Sequence, residues 1–332
     1  MKTKKKVVLA GQKWRFWAMV SLITAILMVP WGHMAAAGYP EKDITIIVPW
    51  SPGGGTDVIT RYIADMVEKD LGKPVVVVNK TGGGGLVGFQ TVANAKPDGY
   101  TIATVSTSMI LQKYAALTYV DRTRVEPIAM INVDPSAFTV KGDAPWKTLN
   151  EALDWAKKNP GKLRVSNSGP GAIWHICAAT LEKKAGVKFT HVPYKGGNPA
   201  AVAVAGGHVE ATTASPAEVS SFAQAGKLRI LAISSEERDA RFPDVPTYKE
   251  SGVDLVIGTW RAIVAPKGTP EEVITKLSAS IKKAVHSPKY KAFLEKGGFG
   301  WAYQGPEELG ATMKRNDEDF SKVIPGLGLK KK

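Results

Sequence analysis

Apolar residues follow two alternating rhythms along this chain: short continuous runs, and positions spaced three or four apart. Ile44–Val48 is a β-branched run of the kind a strand buried on both faces shows. Val58, Ile59, Tyr62, Ile63, Met66, Val67 and Leu71 then recur at helical spacing. Residues 74–78, 100–105 and 125–133 read as further strands of the same region, and residues 136–140 lead out of it. Thr148 and Glu151 form a capping box for a helix over 149–158, which Asn159-Pro160-Gly161 ends. Strands at 163–165, 189–192, 209–213 and 228–233 alternate with helices at 172–184, 200–205 and 217–225. Beyond them, 255–257 and 262–264 are strand-like, and Thr269 as cap with Pro270 behind it starts a helix striped by Val273, Ile274, Leu277, Ile281 and Val285. Helices at 288–296 and 306–323 complete the chain. Such βα alternation predicts an α/β fold of mostly parallel sheets flanked by helices. The units are too many for one ordinary sheet. Two lobes are expected, the first from 38–138 and 228–332, the second from 139–227, with the chain crossing twice between them.

Three strand ends carry polar, glycine-rich turns. Pro49-Trp50-Ser51-Pro52-Gly53-Gly54-Gly55-Thr56-Asp57 follows the first strand and opens a helix. Three successive positions there lack a side chain, so backbone N–H groups can close on a ligand, and the helix N-terminus favours an anion. A tight turn whose glycines serve only the backbone explains the loop equally well. Residues 79–88 repeat the arrangement with Gly82, Gly83, Gly84 and Gly85, and Ser166-Asn167-Ser168-Gly169-Pro170-Gly171 does so in the second lobe. Gly83, Gly85 and Gly88 fit a dinucleotide fingerprint, but no Asp or Glu stands where a ribose needs one, and no Walker-type motif occurs. In open α/β sheets this edge is where ligands sit.

The first 37 residues change the picture of where the chain works. Lys2, Lys4, Lys5, Lys6, Lys13 and Arg15 precede an uncharged apolar stretch at 16–32 and then Met34-Ala35-Ala36-Ala37. That order predicts a secretory signal peptide cut after Ala37 and a periplasmic protein. The rival is an uncleaved anchor, for which the stretch is slightly short and interrupted by Pro30. The formal charge is +14; the leader holds six basic residues and no acidic one, leaving about +8 for the rest. Dispersed positive charge suits steering of a small anion. Nucleic acid is not expected, because the one basic run beyond the leader is Lys330-Lys331-Lys332 at the end. Cys177 is the single cysteine, so no intrachain disulfide forms. It stands two residues from His175 and matches no zinc spacing. No metal or cofactor is expected.

Seven motifs in order resemble one family. They are Pro49-x-Ser51-Pro52-Gly53-Gly54-x-Thr56-Asp57, Asn79-Lys80-x-Gly82-x-Gly84-Gly85, Pro97-Asp98-Gly99-Tyr100, His191-Val192-Pro193-Tyr194-Lys195-Gly196, Ala225-Gly226-Lys227-Leu228-Arg229, Pro243-Asp244-Val245-Pro246-Thr247 and Ala265-Pro266-Lys267-Gly268-Thr269-Pro270. Together they resemble the Bug-type extracytoplasmic receptors of tripartite tricarboxylate transporters. The resemblance implies a two-lobe periplasmic-binding-protein (Venus flytrap) architecture. It implies a monomeric receptor that takes a small organic carboxylate, di- or tricarboxylate favoured, and passes it to a membrane permease of a large and a small subunit. Carried over residue by residue, Ser51, Gly53, Gly54, Gly55, Gly84 and Gly85 meet one ligand carboxylate or its waters. Thr56 and Asp57 match too, with capping as the alternative. Ser106 and Thr107 offer hydroxyls, Ser168 and Gly171 close from the second lobe, and Tyr194 either packs or touches the ligand.

The chain departs from the family pattern in places. Thr213-Ala214-Ser215-Pro216 has no acid where many members have Asp-Asn, so a ligand with an amino group loses a partner there, although Ser215 remains a candidate contact. Arg261 stands where members have an apolar residue followed by glycine. It holds a second carboxylate bidentately or forms an internal ion pair, and both readings stand. The competing class is an exported hydrolase using Ser168 or Ser51 with His175 or His191. No G-x-S-x-G elbow supports it.

Overall fold

The computed structural model describes residues 38–116 and 118–329. The chain divides into Met1–Tyr39 and a body, Pro40–Lys332. The leader reading of residues 1–37 lies outside the described residues.

Within the body the elements are β1 Ile44–Val48, α1 Gly55–Leu71, β2 Val75–Asn79, α2 Leu86–Ala93, β3 Thr101–Ser106, α3 Ser108–Ala115, β4 Val125–Pro135, β5 Ala137–Lys141, α4 Leu149–Lys158, β6 Leu163–Asn167, α5 Ile173–Ala185, β7 Phe189–Pro193, α6 Gly197–Ala205, β8 Ala211–Thr212, α7 Pro216–Gln224, β9 Leu228–Ile233, β10 Gly258–Pro266, α8 Glu271–His286, α9 Pro288–Gly297 and α10 Pro306–Val323. They build two five-stranded sheets, ordered β2-β1-β3-β10-β4 and β7-β6-β8-β5-β9. β1 pairs in parallel with both β2 and β3, so both its edges are satisfied, and Ile44, Ile46, Ile47 and Val48 are buried. Helix α1 buries Ile59, Ile63, Ala64 and Val67 from its apolar stripe and ends at Gly72, whose φ of 68° makes the left-handed cap.

Each sheet is mostly parallel, as expected: four of its five strands run the same way, and one, β10 in the first and β5 in the second, runs antiparallel to both its neighbours. Two expectations need correction. The second lobe does not end at residue 227. β9 pairs with β5, and Tyr248, Val253 and Leu255 pack into the core of Phe138, Leu149 and Leu163, so the chain returns to the first lobe only after Ile257. The capping positions also differ. Thr148 Oγ1 accepts from Glu151 N–H at 3.2 Å as expected, but the Glu151 carboxylate reaches back one residue further, to Lys147 N–H. Thr269 hydrogen-bonds Pro266 O instead of capping, and Pro270 is the residue preceding α8.

The lobes meet at two crossings, β4 to β5 through Ser136, and Ile257 into β10. They are laced together by Ser136 N–H to Ile257 O at 3.0 Å and Ser234 N–H to Ser136 O at 2.8 Å. A shared apolar cluster adds Leu111 and Ala115 of α3 to Ile173, Trp174 and Cys177 of α5. Among the described residues no helix is long and apolar enough to cross a membrane, and no group of three or more His, Cys, Asp or Glu could hold a metal ion.

Gly258 makes the second crossing close: a Cβ there would fall on Asp134 O and the Cα of Pro135. Gly258→Ala is therefore expected to lower stability by about 1–3 kcal/mol, as overpacking does, read as a shift in the urea midpoint at unchanged slope.

Candidate binding site between the lobes

The first glycine turn is set by Asp57. Its carboxylate accepts from Gly53 N–H at 2.9 Å, Asn79 Nδ2 at 2.9 Å and the Arg61 guanidinium at 3.1 Å. Burial opposes the Asp57 anion, yet the bonds from Arg61, Gly53 and Asn79 outweigh it and hold the carboxyl below its ordinary range. The acid's oxygens are thus taken up by its own turn, although Asp57 also lines the small cavity between the lobes. Gly53, at φ 77°, spends its N–H on that turn. Gly54 precedes α1, and Gly55 N–H donates 3.2 Å to the Glu218 carboxylate of the second lobe.

The second turn has four successive glycines at positive φ, residues 82–85. Such backbone admits only glycine without strain. It is also where the lobes touch. A Cβ on Gly84 would lie 2.5 Å from Pro170 O, and one on Gly169 would lie 2.9 Å from Gly84 Cα. Gln112 Nε2 fixes the turn from α3 by donating to Gly83 O and Gly84 O, both at 2.9 Å. Ser51 joins the lobes too, with its N–H and Oγ each 3.0 Å from Lys195 O.

Two cavities lie along this seam. One of about 20 Å³, room for a single water, is lined by Trp50, Gly54, Thr56, Ser106, Ser168, Trp174, Glu218 and Arg261 among others. The other, about 220 Å³, lies between the second glycine turn and residues Ser168, Tyr194 and Lys195. Trp50 and Ser168 line both. Their buried Trp50 Nε1 and Ser168 Oγ have no hydrogen-bond partner among the described residues, nor does the adjacent Asn167 Nδ2. Buried polar atoms are rarely left unpaired, and each such atom costs about 1–3 kcal/mol. A larger groove of about 930 Å³ on the hinge side is lined by apolar residues such as Leu111, Leu255 and Trp260 together with polar ones such as Glu236, Arg241 and Asn316.

The structure brings Gly54, Thr56, Ser106, Ser168 and Arg261 to the small cavity, and Gly84, Gly85 and Tyr194 to the second. The other expected contacts are placed elsewhere. Thr107 turns to the hinge-side groove, where its Oγ1 accepts from Trp260 N–H at 3.1 Å. Gly171 donates to His175 Nδ1 at 3.1 Å, and Ser215 serves the start of α7 beside Glu218. Arg261 forms the internal ion pair: buried, it binds Asp134 and Asn132 through Nη1 and Thr56 Oγ1 through Nε at 3.0 Å. Thr56 is therefore an acceptor for Arg261 rather than a cap. Trp50, Trp174, Thr259 and Glu218 line the site without having been expected. Trp50 stands within the first turn at the unspecified second position of its motif, so the motif itself did not single it out. Glu218 supplies the acid that was missing around Ser215, one helical turn later.

The histidines are engaged away from the serines. His191 Nε2 meets Glu182 at 2.9 Å, and His175 accepts from Gly171. Burial, then the neighbouring His191, lowers the pKa of His175 to about 4, against a smaller opposing pull from Glu182. Burial pushes the Cys177 thiol up to about 12. Because the folded pKa of His175 is depressed, the unfolded chain binds the extra proton between about pH 6.5 and 4. His175 thus contributes stability above 6.5 that is lost as pH falls toward 4. That loss, roughly 3 kcal/mol, is expected to be absent from His175→Gln in urea titrations across the same window. Arg261→Ala, which strands the buried Asp134, is expected to cost about 3–5 kcal/mol in the same assay.

Residues 59–326 match the family described as tripartite tricarboxylate transporter family receptor. A Cupriavidus necator protein, "UPF0065 protein in gbd 5'region", is 35% identical over 88% of this chain and 90% of its own. The solved periplasmic binding protein BugD superposes with a TM-score of 0.85 at 32% identity, covering 88% of this chain and all of that one (100%). MatC of Rhodopseudomonas palustris, solved with bound malate, does so with a TM-score of 0.81 at 27% identity, covering 86% of this chain and 100% of that one. A match of this extent, with two such sheets and a seam between them, means that the chain belongs to the tripartite tricarboxylate transporter receptor family of solute-binding proteins.

Proposed function

We propose that this protein is a periplasmic receptor that closes its lobes over a small dicarboxylate. In this reading it is exported by its first 37 residues, acts as a monomer, and delivers the ligand to a permease of a large and a small subunit. The observation that carries the ligand class is the pair of buried, unpartnered donors Trp50 Nε1 and Ser168 Oγ, one from each lobe, both lining the cavity beside the glycine backbone of residues 82–85 and 169. Donors without acceptors fit carboxylate oxygens. With Arg261 neutralised by Asp134, the cation for a second carboxylate is Lys195, at the rim of the larger cavity. The malate bound by MatC supports a dicarboxylate of four carbons as the first probe. Serines whose hydroxyls contact no histidine support capture without turnover.

A thermal-shift screen of the protein, stripped by unfolding and refolding, against mono-, di- and tricarboxylates and amino acids tests the class. A ligand at about 100 times its dissociation constant adds about 2.7 kcal/mol, and the shift is expected for dicarboxylates. No shift with any acid would sink the reading. Ser168→Ala and Trp50→Phe, each removing one donor to an anion, are expected to weaken binding about tenfold or more in calorimetric titration, without changing stability comparably.

A further inference from the structure

The seat that the first glycine turn offers to an anion already holds one. Glu218 of α7 reaches across from the second lobe, and its Oε1 accepts from Gly55 N–H at the start of α1. Its other oxygen lies 3.4 Å from Ser215 Oγ, at the start of α7. A Cβ on Gly197, the first residue of α6, would fall on both carboxylate oxygens, and one on Gly54 would stand 3.6 Å away. The carboxylate is thus ringed by the N-terminal ends of three helices, where backbone dipoles favour negative charge. Arg261, the cation lining the same cavity, is committed to Asp134. The side chain therefore sits as a ligand carboxylate would, held by backbone and one hydroxyl.

We infer that Glu218 is a resident carboxylate that latches the lobes together without ligand and sets specificity, because a ligand carboxylate must displace it from Gly55. The two cannot share the seat. Gly55 has one N–H, the cavity of about 20 Å³ has no room for a second carboxylate, and like charges in contact repel. An acid that binds here must offer more than Glu218 does, through additional contacts to Trp50 Nε1 and Ser168 Oγ. Monocarboxylates with few further contacts are thereby rejected, so Glu218 raises the threshold for capture.

The displacement rests on the carboxylate reading above, whereas the latch does not. Nitroxide labels at Lys69→Cys and Lys157→Cys, both exposed and on different lobes, read the interlobe distance of the protein without ligand, Cys177 being buried. Glu218→Ala is expected to shift the ligand-free distances longer. Glu218→Gln, which keeps the shape and so the fold, is expected to give a smaller shift. Malate, succinate and adipate are expected to bind both variants about tenfold more tightly than the parent. Unchanged distances in both variants, or affinities equal to or below the parent's, overturn the proposal. Longer distances with no dicarboxylate bound by any of the three proteins uphold the latch and overturn the carboxylate reading instead.

Discussion

The buried pair of Arg261 and Asp134 holds the first lobe's half of the site in place. Arg261 projects from β10 between β3 and β4, and its guanidinium reaches Asp134 and Asn132 on β4 and Thr56 at the start of α1. Asp134 in turn accepts from Gly300 N–H and Asn132 Nδ2, so one charge pair ties two strands, the first turn of α1 and the segment after α9. An ion pair this deep contributes little net stability against a well-packed apolar substitute, but half of it is ruinous. Its value is positional. Gly54 and Gly55 have no side chain to fix them, and Thr56, the next residue, is pinned.

With the arginine neutralised, the proposed site is left with backbone and neutral donors for an anion. That explains why its acids are managed so closely. Asp57, two residues from Gly55, is turned inward by Gly53, Asn79 and Arg61. A free carboxylate there would oppose any anion a few ångströms away. Among the described residues Glu218 is an acid on the seam that backbone holds, by Gly55 N–H, and it sits where the helix ends concentrate positive potential. The positive charge, about +8 beyond the first 37 residues, acts at longer range, as steering that salt screens.

Much of this was legible in residue order, and the rest was hidden for identifiable reasons. A β-branched run ending in three glycines before a helical stripe specifies a βα unit with an open turn, and β1, its loop and α1 form as that pattern implies. Which sheet edge a run joins is a different question. The apolar alternation of β9 is compatible with either sheet, and only pairing with β5 assigns it to the second lobe. Arg261 was undecidable because its partner stands 127 residues away on a strand whose register carries a bulge beside it. Ser106 and Thr107 were indistinguishable as hydroxyl donors. At a strand end, neighbouring side chains point to opposite sides, and the seam takes Ser106 while the hinge-side groove takes Thr107. Glu218 escaped notice because the recognised turn stops before it, and only the approach of the start of α7 to Gly55 at the start of α1 carries the acid across the seam.

The same strands serve as hinge and as floor of the site, which couples closure to recognition. β10 carries Gly258 at the crossing and Arg261 at the seat; β4 carries Asp134 at the seat and Pro135 beside the crossing. The first lobe's half of the site is therefore rigid up to the residue where the chain bends. Closure then brings Ser168, Glu218 and the Gly169–Pro170 backbone onto a floor that does not rearrange. Contact across the seam is made largely by glycine and carbonyl at close approach, Gly84 against Gly169 and Pro170, which in the proposed closure leaves two states, lobes meshed there or lobes apart. A ligand changes the balance between these two states only through what it adds in the closed one. In that state the positions open to it are the unpartnered Trp50 and Ser168 and the place held by Glu218. In the proposed reading, affinity is set by exchange of one carboxylate for another at the seat of Glu218, so ligands are ranked by what they contact beyond the shared anion.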